Sequence, residues 1–84
     1  MTRQEFYTKY GDVPVKFCSY YKYTFTYTGT LPDGRILKVQ YGGDSSDIYR
    51  HEVFVEREET VFNLAPYAGE VYEGTTEIES FYDY

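Results

Sequence analysis

Between Tyr21 and Thr28 the chain alternates rings with polar side chains. Tyr21, Tyr23, Phe25 and Tyr27 interleave with Lys22, Thr24, Thr26 and Thr28. A period of two predicts a half-buried β-strand with its rings on one face. The turn that follows, "LPDGR", has Pro at its first position, Asp next and Gly third, the signature of a type I turn closed by a glycine bulge. That geometry makes Pro32, Asp33 and Gly34 the loop and sets Leu31 opposite Arg35. Counting outward then pairs Gly29 with Leu37, Tyr27 with Val39 and Phe25 with Tyr41. On the other face Thr28 meets Lys38 and Thr26 meets Gln40. The turn rule takes no account of polarity, yet it sorts apolar against apolar and polar against polar. Tyr20 falls on the face opposite Phe25 and is expected to be the more exposed of the two.

The remaining segments are shorter and less regular. In "MTRQEFYTKYGD", Thr2 and Glu5 have capping-box spacing, Phe6 and Tyr10 share one face, and Gly11 supplies a stop. Together these predict a short N-terminal helix docked on a sheet. "YGGDSSDIY" reads as a loop in which Asp44 and Ser45 or Ser46 form a turn or cap a helix before Ile48. "HEVFVERE" alternates again, and "TVFNLAPY" reads as a further strand ended by Pro66. A strand at Glu70–Tyr72 leads to a turn at Gly74, while Ile78 onward fits either a last strand or a short helix. The pattern predicts a mainly β, small α+β domain spanning residues 1–84. Its antiparallel sheet has four to five strands built on a central hairpin at about 19–42.

Composition makes the rings core material. Eighteen aromatics, 12 Tyr and 6 Phe, stand against 13 residues of Val, Ile and Leu. No core can be assembled from so few aliphatic side chains unless aromatics join it. A sheet face therefore explains the stripe better than a stacking platform for bases or sugars.

Charge is unevenly placed. Residues 1–51 carry seven Lys/Arg and five Asp/Glu, whereas 52–84 carry nine acids and only Arg57, so +2 and −8 sum to the net −6. An acidic chain is repelled by phosphates, so direct nucleic-acid binding is not expected. One Cys and one His cannot furnish a zinc site, and "GGDSSD" lacks the spacing of a calcium loop, so no metal or cofactor is expected. Cys18, at the start of a strand, reads as an inert, partly buried thiol. With His51 as the only histidine and no nucleophile motif around Ser19, Ser45, Ser46 or Ser80, no catalytic residues are assigned and an enzyme is not expected. The single cysteine argues against a disulfide scaffold, no apolar run approaches a membrane span, and no leader pattern is evident, so a cytoplasmic protein without membrane contact is expected.

The acidic, aromatic C-terminal third is where a function is sought. Its candidate partner-binding residues are Glu70, Tyr72, Glu73, Glu77, Glu79, Phe81, Tyr82, Asp83 and Tyr84. Acids steer toward a basic partner and rings anchor the contact, as in a small non-enzymatic interaction module, an inhibitor or a nucleic-acid mimic. The alternative is a ligand-binding domain holding a sugar, base or peptide in a concave cluster around Tyr20, Tyr21, Tyr23 or Tyr49.

Overall fold

The computed structural model describes residues 1–44, 46 and 57–83. Helix α1 spans Arg3–Tyr10, followed by strands β1 (Val15–Tyr21), β2 (Thr24–Thr30) and β3 (Ile36–Gly42). Then come β4 (Glu58–Glu59), a single-turn helix α2 (Val61–Leu64), β5 (Ala68–Glu73) and β6 (Thr76–Tyr82). The strands form one antiparallel sheet in the order β4-β1-β2-β3-β5-β6. The fold is mainly β as the pattern predicts, with six strands where four to five were expected. No helix among the described residues is long and apolar enough to cross a membrane.

The central hairpin has the register that the turn dictates. Phe25 faces Tyr41, Tyr27 faces Val39, Gly29 faces Leu37, and Thr26 and Thr28 face Gln40 and Lys38. Leu31 donates to the Arg35 carbonyl at 2.9 Å, and Gly34 adopts φ 91°, the left-handed residue that closes a bulged type I turn. Phe25, Leu37 and Val39 are fully buried, and the Phe25 and Tyr41 rings stack at 5.1 Å with 15° between planes.

The strand before this hairpin departs from expectation. The Tyr21–Tyr27 alternation is not one strand: a two-residue turn at Lys22 and Tyr23 divides it into β1 and β2. Both turn residues are left-handed, at φ 48° and 65°, the conformation of a type I′ hairpin that ordinarily carries Asn-Gly. Neither residue announces such a turn. Tyr21 and Tyr23 are consequently 71% and 61% exposed. Tyr20 pairs with Phe25 and so lies on the same face, half-buried, its ring 4.9 Å from Phe25. A bulge between Phe17 and Ser19 leaves Cys18 without a cross-strand partner, and the thiol is exposed rather than partly buried.

Helix α1 begins as read, with both bonds of the Thr2–Glu5 capping box present. Gly11 ends it in ordinary right-handed conformation, so its lack of a side chain serves space instead: a Cβ there would lie 2.1 Å from the Phe62 ring. "TVFNLAPY" is helix α2 and not a strand. Val61 and Leu64 sit one helical turn apart, facing the core, and left-handed Ala65 followed by Pro66 prevents continuation. The strand expected in "HEVFVERE" falls mostly outside the described residues, as do Ser45, Ile48, Tyr49 and His51. Asp44 does form the expected turn, accepting from the Ser46 amide at 3.0 Å.

Two stability outcomes follow from this packing. Phe25→Ala should cost about 3–5 kcal/mol, read as a fall in urea midpoint, because the site is fully enclosed. The double variant Lys22→Asn, Tyr23→Gly should gain about 1 kcal/mol of stability, read as a higher melting temperature, because it relieves two left-handed residues that lack glycine or asparagine. A lowered midpoint would mean that the two bulky residues are held by contacts worth more than the strain.

A candidate interaction face on the C-terminal hairpin

Gly74, at φ 64°, turns β5 into β6, and Glu73 pairs with Thr76 across a two-residue loop. Which side of this hairpin faces solvent is set from α1. Phe6 lies against Gly69, where a Cβ would approach the ring to 2.6 Å, and its centroid is 4.8 Å from that of Phe81. Gly69, Val71 and Phe81 therefore face inward and are buried. Glu70, Tyr72, Glu77 and Tyr82 lie on the outer face.

On that outer face each ring is tied to a carboxylate. The Tyr72 hydroxyl donates to Glu70 Oε2, and the Tyr82 hydroxyl donates to Glu77 Oε1 at 2.9 Å. Accepting carboxylates resist ionisation of the phenols that donate to them. Tyr72 is pushed up to about 12, first by the Glu70 hydrogen bond and then by desolvation. Tyr82 is also pushed up to about 12, by desolvation first and the Glu77 bond second. Glu73, at the end of β5, lines a cavity of about 410 Å³ together with Asp33, Gly34, Arg35 and Gly74.

The other candidate residues are not part of this face. Phe81 is 2% exposed and belongs to the core, so it is no surface anchor. Glu79 points inward, where Lys9 Nζ and the Tyr10 hydroxyl both donate to it. Lys9 and then Tyr10 hold its carboxyl below the usual range. Asp83 accepts from Arg3 at 2.9 Å, and Arg3 also donates to the Ala65 and Pro66 carbonyls. Tyr84 lies outside the described residues. The sequence pattern does not mark Arg3 and Lys9 as the α1 bases that neutralise two of the acids, nor the Tyr10 hydroxyl as a donor to Glu79. Their only sequence signal was two bases and a ring within one short helix.

The tyrosines of the alternative reading are spread out. Tyr20 packs on the core, Tyr21 projects from the outer face, Tyr23 occupies the turn, and Tyr49 is not described. Neither the 410 Å³ cavity nor one of about 290 Å³ beside β6 is lined by a tyrosine. Among the described residues no group of three His, Cys, Asp or Glu is placed to hold a metal ion. No protein-family model matches the chain, and neither a curated protein nor a solved structure matches it.

The Tyr–Glu couples have a pH signature. A phenol whose folded value lies above its ordinary 10 contributes stability fully below pH 10, and the contribution is lost as pH climbs toward 12. Spectrophotometric titration should show two phenols ionising near 12, with one removed in Tyr72→Phe and the other in Tyr82→Phe. If both variants titrate like the parent chain, the couples do not form in solution.

Proposed function

We propose that this protein is a non-enzymatic interaction module that docks the outer face of its C-terminal hairpin on a basic surface of another protein. The observation that carries the reading is the pair of Tyr–Glu couples on one solvent-facing side, with no base within Ala68–Asp83 and Lys38 of β3 across from Glu70. A carboxylate that accepts from a phenol keeps lone pairs for a second donor, so Glu70 and Glu77 can orient the rings and still receive Lys or Arg. Tyr72 and Tyr82 supply flat, rigid contact area at little entropic cost. Acids spaced along two strands also suit an inhibitor that occupies a nucleic-acid site on its target. The reading places the protein in the cytoplasm, where the exposed Cys18 thiol stays reduced. A second reading, a tyrosine-based ligand site, is favoured by the exposure of Tyr21 and Tyr23 at the β1–β2 turn.

The acids suited to a test are those that no α1 base neutralises. Lys38 lies directly across from Glu70, so a lysine at 70 would create a like-charge pair; glutamine keeps the acceptor for Tyr72 instead. The variant Glu70→Gln, Glu73→Lys, Glu77→Gln should lose capture of basic proteins from lysate and keep its melting temperature, because glutamine at 77 still accepts from Tyr82. Association of the parent chain should slow markedly between about 50 and 500 mM salt, as screening shortens the reach of exposed charge. Capture unchanged by both salt and substitution would show the acids to be solvated surface only.

A further inference from the structure

We infer that the partner of the acidic face is a second copy of this chain, whose β1–β2 turn, Tyr21 to Tyr23, docks on it. The inference rests on the docking reading above and names its occupant. The turn holds Lys22 and Tyr23 in left-handed backbone, where asparagine and glycine would sit without strain. Strain of this kind at an exposed position points to a site kept for something other than stability. What it presents is two tyrosines, 71% and 61% exposed, with the Lys22 ammonium 5.2 Å from the Tyr21 ring centroid. The tip is tied down from two sides. The Gly43 amide donates to the Tyr23 carbonyl at 3.0 Å, and the Tyr20 and Tyr23 rings meet edge-on at 6.5 Å. Rings held in this way lose little entropy when they are covered.

Charge selects the occupant. Residues 13–32 hold Lys16 and Lys22 and no acid, the reverse of Ala68–Asp83. Lys16 stands across from Glu58, so Lys22 is the cation that the turn offers. On the receiving face, after the hydrogen bonds and desolvation described above, the charges of both Glu70 and Glu77 raise both phenols. Glu70, Tyr72, Glu77 and Tyr82 therefore form one cluster. Lys38 lies across from Glu70, which makes Glu77 the acceptor for Lys22, and Tyr82, 49% exposed, offers its ring to Tyr21 or Tyr23. Within one copy the two patches cannot meet. Lys22 lies beyond the row of Thr24 and Gly42, whereas Glu70 and Glu77 lie on the rows of Thr28 and Thr30. The contact therefore joins separate copies. Reciprocal exchange of tips closes a two-fold dimer, and docking in one direction leaves a tip and a face for a third copy.

Sedimentation of the chain at about 150 mM salt is the test. There the Debye length of about 8 Å screens repulsion between whole copies, net −6 each, but not between charges in contact. The weight-average mass of the parent chain should rise with concentration. The tip variant Lys22→Asn, Tyr23→Gly and the face variant Glu70→Gln, Glu77→Gln should each associate at least about tenfold more weakly, with urea midpoints showing both to be folded. Mixed in equal amounts they should associate again, because one supplies an intact face and the other an intact tip. A parent chain still monomeric at about 1 mM would overturn self-docking, and capture of basic proteins by that monomer would leave the docking reading standing. Either variant associating alone as the parent does would also overturn it, by placing the contact elsewhere. So would a mixture no more associated than its components.

Discussion

The contact of Phe6 with Gly69 and Phe81 fixes more of this molecule than any other. A side chain at position 69 would collide with the ring, so Phe6 can approach the sheet only where β5 offers bare backbone. Once it does, the 2.0-residue period of a strand decides every neighbour: Val71 and Phe81 go inward, Glu70, Tyr72 and Tyr82 outward. Helix α1 is too short to persist alone and is held by this packing. Its docking in turn carries Arg3 and Lys9 to the two acids that would otherwise extend the exposed negative patch.

A core assembled from tyrosine must also place hydroxyl groups, and the acids take part in that. Tyr10, almost fully buried, donates to Glu79; Tyr72 donates to Glu70 and Tyr82 to Glu77. A buried hydroxyl without a partner costs about 1–3 kcal/mol, so for Tyr10 the Glu79 acceptor is a structural need before it is a functional one. This changes the meaning of the charge segregation. Part of the negative excess in the C-terminal third is acceptor chemistry for phenols and counter-charge for α1. The remainder available to a partner is Glu73 together with the outward lone pairs of Glu70 and Glu77.

Much of the fold was legible because its signals are local. Turn chemistry at Pro32–Gly34 fixed the register of seven pairs, and the capping box fixed the start of α1. The β1–β2 turn was not legible, since Lys22 and Tyr23 enter left-handed conformation without glycine or asparagine and the alternation of rings runs through them unbroken. Helix α2 resembled a strand because four residues are too few to establish a helical period, and its boundaries come from Ala65 and Pro66. The candidate face was half legible. Adjacent carboxylates and rings are visible in sequence, but the assignment of Glu79 and Asp83 to α1 depends on contacts with residues some 70 to 80 positions away.

The two edges of the sheet and its two bulges share a logic. An exposed edge is a template for unintended pairing, and short edges, charges and bulges are the usual protections. At one end, β4 among the described residues is only Glu58 and Glu59, paired with Lys16 and Val15. The longer β6 edge has a bulge at Ile78 and the carboxylate of Glu77, while Glu79 and Asp83 are paired with Lys9 and Arg3. These protections are not equivalent. Shortness refuses every strand, whereas a carboxylate refuses only strands that lack positive charge. At the β6 end the strand carboxylate not matched by an α1 base is Glu77, so any discrimination by charge rests on that group and on the Ile78 bulge.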